Sequence, residues 1–339
     1  MGEGLRALVA CATAAALTFA FVPLARRVAQ RTGFLDHPVD YKQHARATPY
    51  LGGAALIAAF AFAAIALGAG AARLPLVLAL ALALSAVGTA DDRLNLPPSL
   101  RFGAQVLVAF ALYAADVRWT VAGTVWIDLP VTLLWVTGLT NAFNLLDNID
   151  GATATTAAVS AAGIGALALT RDAAALGAVA FALSGACAAF LVFNLARPAR
   201  IFLGDGGSLP IGFLIAALAM LAAAGLGGDA VLIAVPLAGV AIFDTTLVVL
   251  SRRRRGAPVL TGGRDHMTHR MLAVLSDPRR VALFLAATQA LLCALTLLIW
   301  DASERTVELV AVAYVLAGLA LLAVFERPAL APARRERSV

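Results

Sequence analysis

Residues 5–27 read LRALVACATAAALTFAFVPLARR. Between Arg6 and Arg26 the run carries no charge, and it closes on an arginine pair. A helix needs roughly 17–25 apolar residues to cross about 30 Å of hydrocarbon, so this run reads as a membrane span. A cleaved signal would open on a clear basic region; this run lacks one and ends in arginines, as a retained span does. The opening MGEGLR misses the N-myristoylation pattern because position 6 is Arg.

Runs of the same kind lie near 4–24, 51–71, 74–90, 99–115, 130–146, 152–170, 173–194, 209–227, 230–250, 280–300 and 306–325. They do not alternate apolar with polar residues as barrel strands would. The 339-residue chain is 61% hydrophobic and 14% charged, with mean hydropathy +0.88; soluble domains hold about 45–50% and 25%. We expect an all-α, polytopic transmembrane helical bundle. It forms a single domain over 1–339 with about eleven spans, ten being the alternative, and a basic tail at 326–339. Cys11, Cys187 and Cys293 sit inside apolar runs and suggest no disulfide framework.

Alternating loops fall into two sets, and the charge is unevenly divided between them. Of the 26 Lys and Arg, only Arg6, Arg73, Arg118, Arg171 and Arg305 belong to the set that includes the N-terminus. The positive-inside rule therefore places the N-terminus outside and the other loops in the cytoplasm. The net charge of +6 is mostly this topology signal, with attraction to anionic lipid second. Nucleic acid binding needs a basic soluble face, which is missing.

The acids differ between the two sides. Outside they are singles, such as Asp116, Asp128 and Asp172, and read as solvated loop residues. Inside they gather. Asp91 and Asp92 close the third span, and Asp147 and Asp150 close the fifth in FNLLDNIDG (143–151). Asp205 lies in RIFLGDGGS (200–208), and Asp244 lies well inside the ninth span. Carboxylates crowded at one surface repel unless a cation lies between them; Mg²⁺, which keeps waters and binds phosphates, is the usual ion, with Mn²⁺ the alternative. An intramembrane acid such as Asp244 is costly and marks function by default. Bland alternatives stand beside each reading. Asp91–Asp92 fits a solvated turn. Asn144 and Asp147 fit a helix cap, although a carboxylate at a C-terminus opposes the dipole. GDGGS fits a turn with Ser208 as N-cap, or a loop whose N–H groups approach a phosphate. Arg252–Arg255 fits a stop-transfer anchor. His266 and His269, three apart, fit a metal or base pair only weakly.

Together the cytoplasmic stretches resemble the polyprenyl-phosphate N-acetylhexosamine-1-phosphate transferases, integral membrane enzymes that begin bacterial envelope glycans. Five match in order: DHPVDYKQHARATPYLGG (36–53), DDRLNLPPSLRFGAQ (91–105), NAFNLLDNIDGAT (141–153), ARIFLGDGGSLPIG (199–212) and GRDHMTHR (263–270). The span count and the last loop are similar to the N-acetylglucosamine branch; the muramoyl-pentapeptide type is the alternative within the family. Departures are Arg101 for a usual Lys, Tyr41 for Arg, Ala47 for Pro, Asn148 for Gly and Thr268 for His. The resemblance implies transfer of a sugar 1-phosphate from a UDP-sugar to undecaprenyl phosphate, with release of UMP, at the cytoplasmic face of a bacterial inner membrane. We assign Asp205 to Mg²⁺, with Asp147 and Asp150 shared between metal and donor placement, and Asp92 with Asp91 to position or deprotonate the acceptor phosphate. Lys42, His266 and His269 would contact the diphosphate, Asn144 and Phe202 the nucleotide, with Phe202 stacked on uracil. His44 and Arg270 join the substrate contacts. Small residues along the spans permit close packing, including a homodimer. A cation-coupled transporter is the rival class; it predicts polar residues near the midplane and repeated halves with broken helices, whereas the runs are polar only at their cytoplasmic ends and show no repeat. An inactive family member is the second rival.

Overall fold

The computed structural model describes residues 2–36, 47–71, 73–258 and 263–327, most of them helical. Lys42, His44 and most of the basic tail lie outside the described residues. The apolar runs become α1 (Glu3–Thr32), α2 (Gly52–Leu67), α3 (Leu74–Leu94), α4 (Pro98–Ala114), α5 (Val125–Leu146), α6 (Ala152–Thr170), α7 (Ala174–Asn194) and α8 (Asp205–Ala223). After them come α9 (Ala230–Ala234), α10 (Gly239–Arg254), α11 (Met267–Leu275), α12 (Pro278–Ile299) and α13 (Glu304–Phe325). Among the described residues nine helical stretches are long and apolar enough to cross a membrane, and α2 and α4 are shorter apolar helices. Together they coincide with the eleven expected runs. The chain is thus an all-α multi-pass membrane protein. Helix α3 continues past its expected end at 90, so Asp91 and Asp92 are its last turn rather than a loop.

Helix α8 is the core of the bundle. It is buried along nearly its whole length and packs against α2, α3, α5 and α6; α13 lies at the edge with little buried. Glycine makes this centre possible. A Cβ at Gly53 would lie 2.2 Å from Gly207 Cα, one at Gly88 2.2 Å from Asp205 O, and one at Gly212 2.6 Å from Leu139 O. Backbone therefore meets backbone where α2, α3 and α5 reach α8. Gly88→Ala drives a methyl into a carbonyl that cannot yield, and overpacking of this kind costs about 1–3 kcal/mol or more. The variant is expected to lower the thermal midpoint and the folded yield. Gly103→Ala is the control: nothing lies within 4 Å of its Cβ, and Ala is the better helix former.

The ninth span is broken. A 3₁₀ turn at Gly227–Asp229, α9, and a second 3₁₀ turn at Val235–Ala238 precede α10. Pro236 interrupts the ladder, and the freed groups need partners in a bilayer. Gln289 of α12 supplies them: Nε2 donates to Pro236 O and Leu237 O at 3.0 Å, and Oε1 accepts from Val240 N at 3.1 Å. The break lets α10 carry Asp244 to the segment before α11, where it meets His266 and Met267.

One expectation is corrected at the end of the bundle opposite the inner acids. Asp128 is not a solvated loop residue. It lies in the first turn of α5, 5% exposed, and accepts from Val121 N at 2.9 Å and Ala122 N at 3.0 Å. Its carboxylate holds the preceding loop onto the helix.

Candidate active site

The site forms where the ends of α3 and α5 meet the start of α8. Helix α8 begins after Gly204, whose φ of +69° suits glycine, and has no N-cap side chain of its own. Asp92 takes that role from α3: Oδ1 accepts from Asp205 N at 2.9 Å and Oδ2 from Gly206 N at 3.1 Å. The N–H groups of Gly207 and Ser208 both go to Gly204 O. Two of the alternatives are answered here: Ser208 is not the N-cap, and the N–H groups of Asp205, Gly206, Gly207 and Ser208 are engaged within the protein, so the segment packs and caps α8.

Around this turn the side chains form one network. Asp205 Oδ1 accepts from Asn144 Nδ2 at 2.8 Å, and its Oδ2 accepts from Arg101 Nη1 at 2.7 Å. The same Arg101 nitrogen lies 2.8 Å from Asp91 Oδ2, while Asp91 Oδ1 accepts from Leu96 N at 2.6 Å. Both carboxylates of the α3 pair are thus occupied by protein donors. In this arrangement Asp91 holds Arg101 and Asp92 holds the turn at Asp205. Asp147 caps the end of α5. Burial first, and then the carboxylates of Asp205, Asp92 and Asp150, push its carboxyl well above the ordinary range. Asp147, Asp205, Asp92 and Asp150 therefore feel one another, and Arg101 lies between Asp205 and a fifth acid, Asp91.

Phe202 stands at the rim beside Tyr50, ring centroids 6.2 Å apart. Its N–H donates to Pro49 O at 2.9 Å, where a two-residue strand, Thr48–Pro49, pairs with Leu35–Asp36. Sequence reasoning passed over Tyr50. Its hydroxyl bonds Asp36 and is pushed upward by burial, then by Asp36 and Asp92, so it faces the acids. Its one signal was its place beside the glycine pair in TPYLGG.

A second wall comes from the last loop. Asp244, fully buried, accepts from Met267 N at 2.6 Å and holds His266 Nδ1 at 2.7 Å. The intramembrane acid thereby caps α11 and orients an imidazole. His269 lies beside it, ring centroids 5.9 Å apart. Burial above all, with His266 next, pushes its imidazole down to about 4, so it is neutral at pH 7. Its Nδ1 is buried with no hydrogen-bond partner. The arginine run is more than an anchor. Asp265 receives Arg252 through two bonds of 2.8 Å and Arg255 at 2.7 Å. Arg270 departs from its expected substrate contact. It is 3% exposed and donates to Asp265 O, Phe325 O, Ser251 Oγ and Glu326 Oε1. It ties the last loop to the end of α13.

Burial raises the Asp265 carboxyl, but Arg252 and then Arg255 outweigh it and bring it down to about 2. The unfolded value is about 3.9. A depressed carboxyl stabilises the fold above the unfolded value, and this is lost as pH falls through the folded one. The thermal midpoint is expected to fall between about pH 4 and pH 2, and Asp265→Asn is expected to flatten that part of the profile.

Mg²⁺ fits the chemistry of this donor set, since hard carboxylate oxygens crowd a site short of positive charge. Among the described residues no three acidic, His or Cys side chains converge to hold an ion by themselves. An ion here would take one or two carboxylates and fill its shell with phosphate oxygens and water, as Mg²⁺ commonly does.

A model of glycosyl transferase family 4 matches residues 74–223, which run from α3 to the end of α8. Over that stretch the chain is similar to glycosyl transferase family 4. Its relatives within the bacteria agree over most of their length. It is 27% identical over 283 residues to a "probable undecaprenyl-phosphate N-acetylglucosaminyl 1-phosphate transferase" of Bacillus subtilis, covering 79% of this chain and 78% of the relative. It is 28% identical over 313 residues to a "decaprenyl-phosphate N-acetylglucosaminephosphotransferase" of Mycobacterium tuberculosis, covering 80% and 77%. An "undecaprenyl-phosphate alpha-N-acetylglucosaminyl 1-phosphate transferase" of Escherichia coli is 26% identical over 295 residues, covering 83% and 80%. The family 4 match spans Asp91, Asp92, Asn144, Asp147, Asp150, Phe202 and Asp205. His266, His269 and Arg270 lie beyond it.

Proposed function

We propose that this chain is a family 4 enzyme that transfers N-acetylglucosamine 1-phosphate from its UDP-sugar to undecaprenyl phosphate and releases UMP, starting a lipid-linked envelope glycan. The observation that carries the reading is the Asp205–Asn144–Arg101 network, built at the membrane edge where a lipid phosphate and a soluble nucleotide sugar can meet. The names of the relatives fit it. An oxygen of the acceptor phosphate bonds to the sugar-bearing phosphorus. The bond from that phosphorus to the bridging oxygen breaks, and the electron pair leaves on UMP.

The acceptor phosphate is already largely ionised at neutral pH, so charge compensation and alignment outweigh base catalysis. Arg101 offers the acceptor a cation, and Asp91 and Asp92 fix Arg101 and the α8 turn. Asn144 orients Asp205. Asp150 places the donor, Phe202 and Tyr50 form an aromatic wall for uracil, and His266 and His269 contact the diphosphate. Mg²⁺ would be held by Asp205 and Asp147; when bound it neutralises phosphate charge in the transition state. Lys42 and His44 extend the diphosphate contacts. The charge distribution favours an inner-membrane enzyme with its site in the cytoplasm. The apolar outer face of α13, with Leu309, Val312 and Leu316, is free for lipid or a second subunit of a homodimer.

The test uses the purified chain with Mg²⁺, undecaprenyl phosphate and UDP-sugars labelled in the sugar. Label is expected to move into the lipid phase from UDP-N-acetylglucosamine. Transfer from another UDP-sugar alone would replace the donor, and no transfer from any would remove the transferase reading.

A further inference from the structure

The two walls of the site are joined by a hydrogen bond between residues 120 positions apart in the chain. Thr268, fully buried, donates from Oγ1 to Oδ1 of Asn148 at 2.5 Å. The other end of Asn148 is fixed as well: Nδ2 donates to Leu145 O at 2.7 Å, one of the carbonyls that the end of a helix leaves unpaired. Thr268 is held in turn, because the N–H of its neighbour Met267 goes to Asp244. The bridge therefore runs from the last turn of α5 to the first turn of α11, anchored at both ends. Its chain neighbours are the acids on one side, Asp147 and Asp150, and the imidazoles on the other, His266 and His269.

We propose that Asn148 and Thr268 form a positioning latch that sets the separation of these two walls, and with it the fit of the donor's sugar diphosphate. The inference rests on the transferase reading above. Neither residue needs to touch substrate. Each acts through its neighbours, Asn148 on the Asp147–Asp150 turn and Thr268 on the pitch of α11. Both positions depart from the pattern that the sequence otherwise resembles, and here the two departures are partners. With no side chain at 148, a group at 268 would have no acceptor there, so a change at one position alone breaks the bridge. The acceptor side lies outside its reach, because Asp91, Asp92 and Arg101 are held by α3, α4 and α8.

Thr268→Val keeps the shape and removes the hydroxyl; Thr268→Ser keeps the hydroxyl. Turnover is measured for these, Asn148→Ala and Asn148→Ala/Thr268→Val, with UDP-N-acetylglucosamine and undecaprenyl phosphate varied separately. Losing one hydrogen bond that acts through position is expected to raise the donor KM about 5–10-fold. The acceptor KM and the thermal midpoint are expected to hold. Thr268→Ser is expected to stay within about two-fold of the parent, and the double variant to lose no more than the worse single one, since paired residues couple. An unchanged donor KM in Thr268→Val, losses that multiply in the double variant, or an equal rise in the acceptor KM would each overturn the latch. Equilibrium binding of UDP-N-acetylglucosamine to the parent and to Thr268→Val is read in parallel. A parent that binds without turning over removes the transferase reading, and the binding ratio of the two proteins then decides the latch alone.

Discussion

Asp205→Asn is expected to lower turnover about 10²–10³-fold, the usual scale for removing one well-placed electrostatic contact, while the protein stays folded. The Asn144 bond can persist, because an amide oxygen still accepts from Nδ2. The opposite edge is where the substitution acts. An amide NH₂ would face Arg101 Nη1, two donors at a contact that is now 2.7 Å, and the negative charge is gone. Arg101 then keeps only Asp91 of its two carboxylates. Turnover and the thermal midpoint with and without Mg²⁺ are the readouts. The parent is expected to gain thermal stability from Mg²⁺ and the variant to gain less. Undiminished turnover would remove Asp205 from the charge-compensating role.

Asp244→Asn is expected to cost on the order of 10²–10⁴-fold in turnover, by the logic of a buried acid that fixes the orientation of a working imidazole. With a carboxylate 2.7 Å from His266 Nδ1, the Nδ1 proton faces Asp244 and the ring is held in one orientation. Asparagine can still accept from Met267 N with its oxygen, so α11 keeps its cap. Its NH₂ must then point at Nδ1, which sets a donor against the Nδ1 proton and removes the bond that orients the ring. The fall is therefore expected with little change in thermal midpoint. Asp244→Ala, which also removes the cap, is expected to lower both. Equal turnover in the parent and in Asp244→Asn would leave His266 without a role that depends on its orientation.

The spans were legible because bilayer thickness dictates their length and a bilayer tolerates few charges within them. The expected run at 152–170 and the observed α6 coincide, while at 130–146 the helix starts earlier, at Val125, because Asp128 is folded inward. The break in the ninth span was hidden. Pro236 hints at it, but the partner that makes it tolerable is Gln289, on another helix. The clustered acids were legible as a group through the uneven division of charge between the two sets of loops. Their pairings were not, since hydrogen bonds between residues such as Asp92 and Gly206 depend on where α3 crosses α8. Asp244 was recognisable as an acid too deep to be idle, but not as the partner of His266. Arg270 shows the converse: its motif suggested a ligand contact, and packing gave it four protein acceptors. Asn148 and Thr268 were visible only as departures from a pattern, and three dimensions made them a pair.

The central claim is attack at the sugar-bearing phosphorus, which requires the nucleotide to leave as a monophosphate. The direct measurement is the nucleotide released when the purified chain, Mg²⁺ and undecaprenyl phosphate are incubated with UDP-N-acetylglucosamine. UMP in equal amount to the lipid-linked product is the expected result. UDP in its place would mean that the sugar moved without its phosphate, and it would contradict the account.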